Sequence, residues 1–290
     1  MSRTEYIKVE RTTGAKRNLI QIQKTMKFEF KRNWIKLMTM IGTAVLLFIL
    51  NLVIEVLQLN RFDMELPETA IKYIPGYLST FLGMFISIVS VTFAGSIIVE
   101  DFEKSTGNLL FPKIPKYRLL IGRYIARYLY AIVALLSYYV LVGITTLIRY
   151  GELPIEILLS FGWAAYYMFA VFAFVTFFSS FFKRSTGAIV VSLIALLMVF
   201  NMVQMIMQFT GVTAEPFYFL TYYLNIVTNI FNMPIEGERF TSTLMPNGRS
   251  FYSWSTPNEL GAGLGLLIYS VVLLAGAYFF YWRRQNKANV

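Results

Sequence analysis

The chain of 290 residues contains no cysteine and no histidine. Disulfides, thiolate nucleophiles, zinc sites and imidazole acid–base chemistry are thereby excluded. Charge is scarce as well: Asp, Glu, Lys and Arg make up 14% of the residues against 57% hydrophobic, and mean hydropathy is +0.57. A soluble domain carries about 25% charge. No G-x-x-x-x-G-K-[ST] phosphate loop occurs, so the chain does not bind and hydrolyse ATP by that route. The first thirty-odd residues are charged and hold no short apolar core ending in small residues. This predicts that no cleavable signal peptide is present and that the first span acts as its own insertion signal.

What the chain has in abundance is long apolar runs. Six of them, near 35–57, 77–99, 124–148, 157–182, 188–209 and 260–282, each meet the roughly 20 residues that a helix needs to cross about 30 Å of hydrocarbon. The fold class expected is all-α, a polytopic membrane protein with six transmembrane helices. Basic residues gather before the first run, in the second connection (Lys104, Lys113, Lys116, Arg118, then Arg123 and Arg127), in the fourth (Lys183, Arg184) and after the last (Arg283, Arg284, Lys287). Acids dominate the odd connections, with Asp63, Glu65 and Glu68, then Glu152 and Glu156, then Glu215, Glu236, Glu238 and Glu259. That pattern predicts a plasma-membrane protein with both termini cytoplasmic. The net charge of +10 then orients the chain beside anionic lipids and is not a sign of nucleic-acid binding.

The organisation expected is a cytoplasmic N-terminus over 1–36, a six-span domain over 37–282 and a cytoplasmic tail over 283–290. Leu19, Ile22, Met26, Phe30 and Trp34 recur at helical spacing, with Lys24, Lys27, Lys31 and Arg32 mainly off that stripe. An amphipathic interfacial helix is predicted there, serving as a membrane anchor or also touching a cytoplasmic partner. Trp34, Trp282, Tyr124 and Tyr128 are expected at the inner interface, and Tyr73, Tyr77 and Trp163 at the outer one. Pro67, Pro75-Gly76 and Pro154 punctuate the outer connections. The external loop, 210–259, includes an apolar stretch at 217–233 that bears Thr221, Asn225, Thr228, Asn229 and Asn232 on one face. Counting it as a seventh span would invert the charge rule, so it reads as a short external helix, interfacial or re-entrant. The polar stretch 236–258 reads as an exposed loop.

The strongest local signal is the second connection, 100–118. A charged helical extension leads to Thr106-Gly107, an apolar Leu109, Leu110 and Phe111, two prolines and a basic return to the membrane. Exposed apolar surface costs about 25 cal/mol per Å². A protein partner is the simplest cover. Within the second run Ser79, Gly83, Ser87, Ser90 and Ala94 form a small-residue stripe, suited to close helix packing or to lining a path. Asn201, Gln204 and Gln208 form an amide row in the fifth run that must face protein or water. Met198, Met202 and Met205 beside it read as flexible lining in preference to a Cu(I) site. Gly261, Gly263 and Gly265 suit close helix contact.

The second connection resembles that of the type-2 membrane (permease) subunits of ATP-binding cassette (ABC) transporters. The residues that carry the resemblance are Glu100, Glu103, Thr106, Gly107, Leu109, Leu110, Pro115, Arg118, Gly122 and Arg123. Two departures accompany it: Thr106-Gly107-Asn108 stands where Gly-Thr-Leu is commoner, and Pro112 shortens any helix there. The resemblance implies that this loop is a coupling helix docking on a separate ATPase subunit, with Phe111 beside the leucines on the docking surface. It also implies that a second permease copy or homologue completes a pathway lined by the second and fifth spans, here Ser79, Gly83, Ser87, Ser90, Asn201 and Gln204. No enzyme activity, cofactor or metal is expected of the chain itself. The competing reading is an ion-coupled carrier or channel. It is weakened because the only acid within a span is Glu55, near an outer end where it can reach water.

Overall fold

The computed structural model describes residues 15–62, 66–103, 116–209, 214–234, 239–244 and 250–288. In order these form α1 (Ala15–Phe62), α2 (Ala70–Ala94), α3 (Val99–Glu103), α4 (Lys116–Tyr150), α5 (Glu156–Ser179), α6 (Ser185–Ile194), a π-helical turn (Ala195–Val199) and α7 (Phe200–Phe209). There follow a 3-10 turn (Leu220–Leu224), α8 (Asn225–Asn229), a hairpin of β1 (Phe240–Leu244) and β2 (Ser250–Trp254), and α9 (Glu259–Ala288). Among the described residues six helical stretches are long and apolar enough to cross a membrane: α1, α2 through α3, α4, α5, the stack of α6 and α7, and α9. The chain is a helical multi-pass membrane protein. Its two ends are called below the α3 end and the hairpin end.

The helices form one bundle. α1 packs most extensively on α4 and α9 on α5, while α2 is wedged against both α4 and α5. α2 is the most buried of the spans and the fifth, α6 with α7, the least. α7 itself contributes no buried residue.

Four sequence-based expectations are revised. First, the amphipathic segment over 19–34 is not a separate element. It is the first part of α1, whose 48 residues extend roughly 70 Å at 1.5 Å per residue, more than twice the hydrocarbon thickness. Its buried face is polar: Thr25, Glu29 and Asn33 recur every four residues and continue into Leu37, Met40 and Ala44, while Leu19 and Trp34 point away from the bundle. Second, Pro75 and Gly76 lie inside α2, which begins at Ala70. Pro75 is the sixth residue of the helix and removes one backbone N–H that would bond the Ile71 carbonyl.

Third, the external stretch is shorter and more deeply inserted than one surface helix. Leu220, Tyr222, Tyr223, Ile226 and Val227 are all nearly inaccessible, and the segment packs among α2, α5 and α9. Ser160 Oγ on α5 donates to the Val227 carbonyl at 2.7 Å, which satisfies backbone that hydrocarbon would leave unbonded. Fourth, the polar stretch beyond it contains a β-hairpin, with Phe240 opposite Trp254 and Ser242 opposite Tyr252. The aromatic face so formed lies against α7. Arg239 and Glu215 pin its base at 2.9 Å. Tyr222 donates to the same carboxylate at 2.9 Å, and burial followed by that contact raises the Tyr222 hydroxyl above its ordinary pKa.

Candidate functional site

The small-residue stripe of α2 and the amide row of the fifth span come together. Ser79, Gly83 and Ser87 form one wall, and Asn201, Gln204 and Gln208 the other, of an open cleft of about 440 Å³. Thr221 and Asn225, from the inserted segment, close it at the hairpin end, and Leu196 and Leu197 of the π turn face it as well. A π turn inserts an extra residue per turn, and such turns recur at functional sites. Gly83 is required by the inserted segment: a Cβ there would lie 2.5 Å from Leu224 Cδ2. Ser90, the sixth residue expected on the path, does not line the cleft. It is fully buried one turn farther toward the α3 end, and its hydroxyl has no hydrogen-bond partner.

At the α3 end lies a cluster of ionised side chains that composition and the charge rule treat only as topology signals. Arg127 of α4, fully buried, donates to Glu29 Oε2 of α1 at 2.8 Å, to Glu100 Oε2 of α3 at 2.9 Å, to Ser96 Oγ at 2.8 Å and to the Phe93 carbonyl at 3.1 Å. Arg123, one turn away, pairs with Asp101 at 2.8 Å and approaches Glu29 at 3.5 Å. Arg32 bridges Glu29 and Glu100 at 2.6 and 2.9 Å. Tyr281 of α9 donates to Asp101 at 2.7 Å. Among the described residues three carboxylates thus meet three guanidinium groups, and Lys36 lies close enough to interact with Glu29 and Glu100. The cluster ties α1, α3, α4 and α9 together where α2 ends.

The residues expected on a coupling loop divide accordingly. Thr106, Gly107, Leu109, Leu110, Phe111 and Pro115 lie outside the described residues. Glu100 belongs to the buried cluster. Glu103 accepts from the backbone N–H and hydroxyl of Ser185 at 3.1 and 2.7 Å, fastening the start of α6. Arg118 donates to Gln21 at 2.6 Å and so joins α4 to the start of α1. Each of the three therefore anchors the base of the loop to the bundle.

At the hairpin end Glu55 is buried, yet it lines an open cavity. It pairs with Arg149 of α4 and accepts from Tyr77 at 2.6 Å and more weakly from Tyr73 at 3.4 Å. Those tyrosines turn inward instead of marking an interface. Tyr124 and Tyr128 do the same, donating to the Phe169 and Ala165 carbonyls of α5 at 3.0 and 2.8 Å. Trp34 and Trp282 are exposed. Beside Glu55 a second cavity of about 340 Å³ opens between α1 and α2, sharing Thr80 with the cleft. Sequence reasoning missed these ion-pair sites because their partners lie far apart in the chain; the i, i+4 pair Arg123 and Arg127 at a span's end was the one available sign.

Among the described residues no group of His, Cys, Asp and Glu is placed to hold a metal ion. Gly261 and Gly265, expected at a helix–helix contact, instead receive aromatic rings from the inserted segment: a Cβ on Gly265 would lie 2.2 Å from the Tyr223 hydroxyl. Gly263 faces Trp163 of α5 across 4.0 Å. No known protein-family model and no curated protein matches this chain.

Proposed function

We propose that this chain is the membrane subunit of an ABC transporter, an exporter, and supplies half of a translocation pathway driven by a separate ATPase subunit. The observation that carries the reading is the convergence of the α2 stripe and the fifth-span amides on one polar cleft. That cleft lies on the least covered side of an apolar bundle, where amides facing lipid would forgo hydrogen bonds worth several kcal/mol. A second copy, or a homologous permease, across this face would enclose the path and leave surrounding lipid in contact with apolar helix only. In this reading the α3 end is cytoplasmic and the termini lie on that side. The loop over 104–115 then receives the ATPase through Leu109, Leu110 and Phe111. Its base is held by Glu100, Glu103 and Arg118, so a pull on the loop reaches α1, α4 and α6 together.

The test is isolation of the tagged chain from its native membrane, alone and as the Leu109→Ser, Leu110→Ser, Phe111→Ser variant. The wild type is expected to bring a P-loop ATPase in stoichiometric amount, and the variant to lose it at unchanged yield, since a few apolar anchors carry most of an interface's energy. Retention of the ATPase by the variant would defeat the docking assignment. Transport driven by a proton or sodium gradient with no ATPase present would replace the reading with an ion-coupled carrier.

A further inference from the structure

The hydrogen bonds already made around the cleft fix what kind of molecule it can hold. On the α2 wall, Ser79 donates to the Gly76 carbonyl at 3.0 Å and Ser87 to the Gly83 carbonyl at 2.8 Å. Each hydroxyl proton is thus engaged inside the helix, and the oxygen faces the cleft as an acceptor. On the opposite wall Asn201 uses one N–H on the Leu197 carbonyl at 2.9 Å, and the Gln204 oxygen accepts from Thr221 at 3.4 Å. That leaves the Gln204 amino group, a second N–H and the oxygen of Asn201, and the whole side-chain amide of Gln208 without partners among the described residues. The cleft offers acceptors on the α2 wall and both donors and acceptors on the amide wall. No charged side chain lines it among the described residues.

A phosphate or sulfate head needs a guanidinium or ammonium group. A quaternary ammonium needs a carboxylate or a cage of aromatic faces. Neither is present: Glu55 lies across the adjoining cavity and is taken by Arg149. The outer wall, by contrast, is apolar, with Met202 and Met205 each 58% exposed. The polar character also continues beyond the cleft. Ser90 on α2 and Ser192 on α6 are both fully buried without a hydrogen-bond partner, each one turn closer to the α3 end than the cleft wall of its own helix. A serine in an apolar helix can bond its own carbonyl three or four residues back; neither of these does.

We propose that the cleft between α2 and α7 binds the head group of an uncharged, multiply hydroxylated amphiphile, a glycosyl or polyol head on an apolar chain, with Ser90 and Ser192 as the next contacts on its route. The proposal rests on the permease reading for its role in transport. Binding itself is a property of this chain alone. Donors and acceptors together match sugar hydroxyls, which do both. The exposed methionine face accommodates the chain in lipid.

The experiment uses the full chain in lipid nanodiscs with no ATPase. Saturation binding of radiolabelled octyl glucoside below its micellar concentration is followed by competition with octyl sulfate, octyltrimethylammonium and octyl phosphocholine. Saturable glucoside binding is expected, with the three charged-head competitors at least about tenfold weaker. Asn201→Leu with Gln204→Leu removes about two hydrogen bonds and is expected to lower glucoside affinity about tenfold. Gln204→Glu preserves size and is expected to turn the preference toward octyltrimethylammonium. Absence of saturable binding, a charged head that competes as well as the glucoside, or unchanged affinity in a well-folded double-Leu variant would each overturn the proposal. Because no ATPase takes part, those outcomes are separate from failure of the permease reading, which appears in the co-isolation experiment.

Discussion

Replacing Arg127 with Met tests whether the buried charge cluster holds the bundle together. The guanidinium is fully buried and makes four hydrogen bonds, two of them to the carboxylates Glu29 and Glu100. Its removal takes one positive charge from the cluster and leaves the buried Glu29 carboxylate without its 2.8 Å partner. Breaking a buried ion pair from one side costs about 3–5 kcal/mol, because the remaining charge stays desolvated. At roughly 2–4 °C per kcal/mol, the melting temperature of Arg127→Met in nanodiscs should fall by roughly 10 °C. Glu29→Gln alone should also destabilise, since it takes a carboxylate from Arg32, Arg123 and Arg127. The double variant restores the original charge balance and should recover about 1–3 kcal/mol relative to the sum of the singles. Thermal melts followed by intrinsic fluorescence, all four chains in the same lipid, give the cycle. A single variant melting within 3 °C of the wild type, about 1 kcal/mol, would refute the claim that this cluster is desolvated and joins the helices. Strict additivity of the two changes would refute the charge-balance argument.

Two further predictions follow from close contacts and from topology. Gly265→Ala places a methyl against the buried Tyr223 ring, whose hydroxyl is fixed on the Phe217 carbonyl at 2.7 Å; it should cost about 1–3 kcal/mol in the same melts. Gly263→Ala, with its nearest neighbour 4.0 Å away, should stay within about 0.5 kcal/mol of wild type, and equal effects at the two sites would remove the steric explanation. Cys introduced at Ser242 on the hairpin should react with an impermeant thiol reagent on intact cells, whereas Cys at Ser185 should react only after permeabilisation. The native chain offers no competing thiol, and labelling at Ser185 in intact cells would reverse the orientation and with it the coupling-loop assignment.

The spans were legible in the sequence because bilayer thickness acts on each segment separately: length and hydropathy are local quantities, and each of the six runs overlaps one spanning stretch, only 157–182 overrunning its end, at Ser179. The stripe on α2 and the amide row of the fifth span were legible one at a time, from helical spacing. Their meeting across one cleft was not, because nothing in either segment encodes the other. The same limit hid Arg127, whose partner Glu29 is 98 residues away. The aromatic-belt rule placed Tyr73 and Tyr77 at an interface because it counts ring position along a span, whereas their hydroxyls are directed by Glu55 on a neighbouring helix. The hairpin was masked by its Gly, Pro, Ser and Thr content. Its sign was the alternation that puts Phe240, Tyr252 and Trp254 on one face, a signal only five residues long in each strand.

The distribution of polar groups along the bundle has one physical logic. Ionised side chains sit at the two ends, in a three-against-three cluster near α3 and in the Glu55 and Arg149 pair toward the hairpin. The cost of an ionised group rises toward the bilayer centre, so ion pairs that fix helix positions are least expensive near the ends. Between them the polar side chains of the cleft are hydroxyls and amides, which can exchange a neighbouring carbonyl, a water or a ligand hydroxyl at a net cost of about 0.5–1.5 kcal/mol per bond. A charge placed in the same cleft would bind one counter-charge tightly and release it slowly. Neutral polar walls are the chemistry by which a path can hold a hydroxylated head group and still let it go.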